Sequence, residues 1–145
     1  MLIKDVMTRT PAYCAPKDKL DTVAQLMVEH DCGEIPVCEG FRVVGVVTDR
    51  DITCRAVAAG LNPAVVPVRE VMTKAVHTVL PEDPIEAAME LMEEHRIRRV
   101  PVVDWYGKIV GLVSATDLVA ALPSPKSGEL LKAITRRRPM ALATA

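Results

Sequence analysis

The chain predicts an α+β fold built from two pseudo-symmetric β-α-β-β-α units packed together. The first observation behind this is an internal repeat. Val6-Met7-Thr8 returns as Val71-Met72-Thr73, His30 as His95 and Pro36-Val37 as Pro101-Val102, each 65 positions later. After one inserted residue, Gly45-Val46-Val47-Thr48-Asp49-Arg50-Asp51 returns as Gly111-Leu112-Val113-Ser114-Ala115-Thr116-Asp117, 66 positions on. A repeat of this size is a supersecondary module copied once and packed on its copy. The second observation is periodicity: each copy carries an apolar stripe at helical spacing, then two short apolar runs without alternation. The expected units are residues 1–62 and 63–122, followed by a C-terminal extension, 123–145, with a short helix and a frayed tail.

In each unit a leading segment (Leu2 to Thr8; Pro67 to Thr73) runs into an extended piece ending at Pro16 or Pro81. The first helix follows. In the second unit Asp83 is the expected N-cap, with Pro84 at the first helical position and Glu86 closing a capping box. Ile85, Ala88, Met89 and Met92 then form its stripe; Asp18, Leu20, Val23, Ala24 and Met27 are the counterparts. Met at these spacings reads as core. Gly33 is placed to end the first of these helices in a left-handed conformation. His30 and His95 fall in the last helical turn, where a cation complements the dipole; His77 has no partner in the sequence. Strands are expected at Ile35–Cys38 and Val43–Val47, and at Val100–Val103 and Ile109–Val113, covered on both faces because they do not alternate. A second helix opens at Thr48 and runs toward Gly60, and its copy runs from Ser114 to Pro123. Leu61 to Pro67 is a linker, and Leu130, Leu131 and Ile134 mark the short extra helix.

Half of the residues are hydrophobic but only 3% are aromatic, so the core must be Val, Leu, Ile, Met and Ala. A net charge of −1 argues against nucleic acid and membrane surfaces as partners, since both call for a strongly basic face. The basic clusters are local: Arg96, Arg98 and Arg99, then Arg136-Arg137-Arg138. No run reaches the roughly 18–20 apolar residues of a membrane span. Lys4 and Asp5 stand where a signal peptide needs an apolar run, so the expectation is a cytoplasmic protein. Cys14, Cys32, Cys38 and Cys54 fit no zinc spacing and read as buried, reduced thiols. If the strand at Cys14 lies beside the one ending at Cys38, a disulfide between them is geometrically open, and with it a redox-sensing role.

The motif with most chemical content is Gly-x-x-Thr/Ser-x-x-Asp, at Gly45, Thr48 and Asp51 and again at Gly111, Ser114 and Asp117. One reading is a capping box, which duplication copies faithfully. The other is a nucleotide grip. A helix start and its hydroxyl suit a phosphate, and an aspartate one turn in can accept both hydrogen bonds of a ribose diol. The glycine permits close approach of a ligand or backbone. No nucleophile–base–orienter set is visible, so an enzyme is not expected.

These motifs, with Val-Met-Thr and Arg99-Val100-Pro101-Val102-Val103-Asp104, resemble tandem CBS (cystathionine-β-synthase) domains over residues 1–122. The resemblance implies a stand-alone regulatory pair with two clefts and no obligatory cofactor. Its ligand would be AMP, ADP or ATP, or in some such modules NAD or S-adenosylmethionine. It further implies a disc-like homodimer and an effector that the sequence does not identify. Carried over by motif, Thr48 and Asp51 with Val46 and Arg50 line one cleft. Ser114 and Asp117 with Leu112 and Thr116 line the other. Ile35-Pro36-Val37 and Val100-Pro101-Val102 form apolar walls, and Thr10 and Ala75 close the base pockets. Arg98 and Arg99 precede the second strand pair where Gly33 and Glu34 precede the first, so the second cleft is expected to be the better anion site; a solvated surface is the other reading of these arginines. The resemblance also lends weight to a Cys14–Cys38 bridge. The rival to a sensor is a structural dimerisation module with vacant clefts.

Overall fold

The computed structural model describes residues 1–135, so Arg136-Arg137-Arg138 and the tail after Pro139 lie outside the described residues. In chain order the elements are α1 (Ile3–Val6), β1 (Thr8–Arg9), α2 (Leu20–Glu29), β2 (Glu34–Glu39), β3 (Arg42–Thr48) and α3 (Asp49–Asp51), which runs into a π-helical stretch, Ile52–Val57. A 3-10 turn (Val68–Glu70) leads to α4 (Ile85–His95), β4 (Arg99–Val103), β5 (Ile109–Ser114), α5 (Ala115–Ala121) and α6 (Ser124–Thr135). The mixed α and β content and the repeated order match the expectation. β2 and β3 pair antiparallel with Glu34 opposite Thr48; β4 and β5 pair with Arg99 opposite Ser114. Each pair carries a register irregularity at the same repeated place, Val37/Cys38 and Val102/Val103. Apart from Glu39 and Arg99, every residue of β2 and β4 is buried, as unalternating apolar strands should be. The cores contain no aromatic residue; Tyr13, Phe41, Trp105 and Tyr106 are all exposed.

The leading segments exchange places. Ile3, with Val6 and Met7, packs among Val79, Ile85, Met92, Val100, Leu118 and Leu130 of the second half. Val68 and Val71, with Met72, pack among Leu20, Val23, Ile35, Val37 and Val47 of the first. β1 therefore pairs with β5, Thr8 opposite Leu112, and Thr73 bridges Val46. The repeated glycines make this approach fit. A Cβ at Gly111 would stand 2.5 Å from Met7 Sδ and 3.0 Å from the Thr8 carbonyl; at Gly45 it would meet Met72 Sδ at 2.7 Å and the Thr73 carbonyl at 3.1 Å. The close approach that these glycines allow is thus taken by backbone and methionine.

Three local features depart from expectation, two of them at the exchanged segments. Asp18 and Asp83 do not cap the first helices, which start at Leu20 and Ile85. The Leu20 and Ile85 amides donate instead to the carbonyls of Val66 and Met1 in the exchanged segments, at 3.1 and 3.2 Å. The two carboxylates close the preceding turns, accepting from the Ala15 and Leu80 amides at 2.8 Å, and Glu86 closes no box. The left-handed residue after α2 is Asp31 (φ 47), not Gly33, and Arg96 (φ 53) is its copy; Gly33 instead offers its carbonyl to the Asp49 amide at 3.0 Å. The helix from Thr48 widens into π turns at Ile52, and Arg55 on those turns meets the exchanged segment, where it donates to the Val71 carbonyl and to Thr73 Oγ1. The extra helix exists and is longer than expected: α6 buries Leu130 and Ile134 against α4 and α5.

Gly111→Ala forces the Met7–Thr8 segment off β5. Its unfolding free energy in urea is expected to drop by about 1–3 kcal/mol, the usual cost of overpacking, with no change in far-ultraviolet dichroism at low denaturant.

Candidate functional site

Both copies of the repeated motif are complete capping boxes. The Asp51 amide donates to Thr48 Oγ1 and the Thr48 amide to Asp51 Oδ2, both at 3.0 Å. The Asp117 amide donates to Ser114 Oγ at 3.1 Å and the Ser114 amide to Asp117 Oδ2 at 2.9 Å. The structural reading is therefore correct for both, and it uses one oxygen of each carboxylate. The second oxygen separates the copies. Asp51 Oδ1 lies 3.6 Å from the guanidinium of Arg55. The corresponding position in the second half is Ala121, and Asp117 Oδ1 has no hydrogen-bond partner among the described residues.

A cavity of about 370 Å³ opens beside Asp117. Its walls come from four parts of the chain: Thr8 to Ala12 of the exchanged segment, His30 to Glu34 after α2, Arg99 on β4, and Leu112, Ser114, Thr116 and Asp117. Thr10 lies at this rim in a left-handed conformation (φ 46), uncommon for a β-branched residue. Of the expected residues the structure therefore assembles Thr10, Arg99, Leu112, Ser114, Thr116 and Asp117. Arg98 lies next door, in a smaller hollow shared with Ser114, Thr116 and α6. Ile35, Pro36, Val37, Val100, Pro101 and Val102 are buried and none lines this cavity, because β2 and β4 are covered on both faces. The sequence reading missed His30, Asp31 and Cys32 and placed Glu34 in the first cleft. The segment after α2 crosses to the other half's cavity, a consequence of the exchange that a single repeat cannot reveal.

The first half is built differently at the matching place. Ala75 sits in a wide groove with Arg55, Arg69, Met72 and Thr73, and Thr48, Arg50 and Asp51 are not among its lining residues; Val46 is taken by its bridge to Thr73. His77 stands where Ala12 stands in the other copy and stacks on His95, the counterpart of His30, with ring centroids 3.6 Å apart. Two imidazoles thus occupy the space that an alanine leaves open beside His30.

Glu34 is 8% exposed and its Oε2 is buried with no hydrogen-bond partner. Burial pushes its carboxyl up from 4.5 to about 7, with Arg99 pulling it down and Asp51 adding to the rise. Cys14 and Cys38 are both free thiols, although the Cys38 amide donates to the Cys14 carbonyl at 2.7 Å and their segments do lie side by side. The expected bridge is not formed here. Burial, helped by Asp18 and Cys38, pushes the Cys14 thiol up to about 12, and burial pushes Cys38 up to about 11. Neither offers the thiolate that disulfide exchange needs at neutral pH. The pH dependence of folding follows from Glu34. A carboxyl raised in the folded state contributes stability that is present below its unfolded value and lost as pH rises through about 7. Between pH 4.5 and 8 the unfolding free energy of the wild type is expected to fall by roughly 2–3 kcal/mol more than that of Glu34→Gln, measured by urea denaturation at both ends.

A sequence profile of the CBS domain matches residues 3–56 and again 68–124. The chain is 35% identical over 142 residues to Hypoxic response protein 1 of Mycobacterium tuberculosis, with 97% of each chain covered. It is 37% identical over 136 residues to the CBS domain-containing protein YhcV of Bacillus subtilis, covering 93% of this chain and 96% of that one. The crystal structure of Hypoxic Response Protein I with two coordinated zinc ions superposes with a TM-score of 0.78 at 34% identity, covering 85% of this chain and 100% of that one. The CBS domain pair of MJ0100, in complex with 5′-methylthioadenosine and S-adenosyl-L-methionine, gives 0.76 at 26% (83% and 98%). CBSX2 in complex with AMP gives 0.71 at 27% (83% and 94%). Among the described residues no group of three or more His, Cys, Asp or Glu side chains is gathered as a metal site requires. With the profile falling on both copies of the repeat and relatives matched along nearly their whole length, the chain belongs to the CBS domain family and carries that domain twice.

Proposed function

We propose that this protein is a regulatory CBS pair that binds an adenosine-containing ligand in the Ser114–Asp117 cavity and signals through a change of shape or association. One observation carries this reading. The cap consumes Asp117 Oδ2 and leaves Oδ1 without a partner among the described residues, and Asp117 lines a cavity of about 370 Å³, within the range of small-molecule sites. A carboxylate oxygen so placed accepts from a ribose diol. Ser114 and Thr116 hydroxyls and Arg99 then face the 5′ substituent, and Thr8 and Thr10 close the other side. Among similar proteins, CBSX2 was solved with AMP and the MJ0100 pair with 5′-methylthioadenosine and S-adenosylmethionine, so both adenine nucleotides and adenosyl sulfur compounds belong in the test. The role is regulatory and not catalytic. Ligand binding shifts an equilibrium between conformations or oligomers in proportion to its preference for one of them, and a homodimer acting on a separate effector is the assembly this reading favours.

The first cavity position contributes less, because Arg55 occupies Asp51 and the His77–His95 stack fills the space. A thermal-shift panel with adenosine, AMP, ADP, ATP, NAD and S-adenosylmethionine is expected to give a shift for at least one compound. Asp117→Ala is expected to weaken that ligand by about 1.5–3 kcal/mol, the scale of a hydrogen bond to a charged group, while Asp51→Ala keeps it. Unchanged affinity in a folded Asp117→Ala variant removes Asp117 from the site. No shift with any compound favours a dimerisation module with vacant clefts.

A further inference from the structure

The charge lining the cavity does not suit a phosphate. Asp31, Glu34 and Asp117 contribute three carboxylates and Arg99 one guanidinium, with His30 and Cys32 beside them. No ion pair joins Glu34 to Arg99 among the described residues, so the arginine acts on Glu34 only through its field. Asp51, on α3, adds a further negative charge to the field at Glu34. The Glu34 carboxylate is more than nine-tenths buried, lines the cavity, and keeps one oxygen sealed from water without a donor. A carboxylate in that state lacks a partner, and the group that supplies one gains both a charge interaction and relief of a desolvated oxygen.

The repeat sharpens the point. Glu34 stands where Arg99 stands in the other half, and Asp31 where Arg96 stands. The segment that follows each first helix is thus acidic in the first copy, which gives this cavity Asp31 and Glu34, and basic in the second, which gives it Arg99. The helix behind Ser114 offers little to offset this: α5 is only seven residues long, and the Asp117 amide of its first turn is already taken by Ser114.

We infer that Glu34 sets the charge of the ligand: the cavity takes a nucleoside whose 5′ substituent carries a sulfonium cation, in preference to one carrying phosphates. This rests on the reading that the cavity holds an adenosyl compound through Asp117. A phosphate beside Glu34 brings like charges together in a water-poor wall, and forces one of them to take up a proton. A sulfonium there meets an unpartnered carboxylate. Glu34 is then a specificity-determining residue that Arg99 counterbalances.

Calorimetric titration at pH 8 tests this with S-adenosylmethionine, S-adenosylhomocysteine and AMP. The first two differ by one methyl group and the positive charge it creates. S-adenosylmethionine is expected to bind the wild type roughly tenfold or more tighter than S-adenosylhomocysteine, the scale of a well-screened charge pair, with AMP weaker than both. In Glu34→Gln the ratio of the first two is expected to fall toward one, and AMP to gain. Equal affinity for the sulfur pair in the wild type, AMP as the tightest ligand, or an undiminished ratio in folded Glu34→Gln each overturns the inference and leaves the adenosyl reading standing. The wild-type ratio decides on its own where the variant does not fold. Absence of binding by all three, and by adenosine, overturns the adenosyl reading itself and the inference with it.

Discussion

Ile3 lies in the core of the second half and Val68 in the core of the first, and the amide of each donates to the carbonyl of an aspartate in the half it enters, Asp83 at 2.9 Å and Asp18 at 2.7 Å. This crossed arrangement determines much of what surrounds it. It supplies the backbone acceptors that the first turns of α2 and α4 need. It covers the outer edge of β5 with β1 and places Thr73 on β3, edges that would otherwise present unpaired amides. It is also why the motif glycines cannot carry a side chain, and why the cavity beside Asp117 has walls from both halves. A cavity made this way cannot persist in one copy alone, since Thr8 and Thr10 reach it only by crossing over.

Two copies that began alike have diverged most where they face a cavity. Around Asp117 the positions hold Ala12 and Ala121; the matching positions of the other copy hold His77 and Arg55. Each exchange acts in the same direction. The first half fills its space with stacked rings and binds its aspartate to an arginine. The second keeps its space open and its aspartate half free. Packing is kept between the copies because both must bury similar apolar strands, down to the register irregularity in each hairpin.

The elements and their order were legible in the chain because hydrophobic period and repetition are local signals. So were the two Thr/Ser-to-Asp boxes, whose partners are three residues apart. What local signals could not show was which segment meets which. Asp83 looked like a helix cap, but the amides it would have satisfied are met by a chain segment some eighty residues away. Gly33 looked like a left-handed terminator, but Asp31 takes that conformation. Arg98-Arg99 looked like the mark of a basic cleft, yet the other copy brings Asp31 and Glu34 into the cavity that Arg99 lines. The His77–His95 stack was illegible for the same reason: two histidines far apart in sequence carry no sign of their proximity.

The crossing also imposes an order on how the two cores can form. The core of the first half draws on a continuous stretch, from Cys14 to Val71, whereas that of the second needs Ile3 from one end and Ile134 from the other. Contacts between distant residues close large loops and form slowly. On the ribosome, residues 14–71 can therefore collapse on themselves as soon as they emerge, while Ile3, Val6 and Met7 wait with no core to enter until α6 has been made. The two halves are nearly equal in space but unequal in contact order, and the half that holds the open cavity is the one that must be finished last.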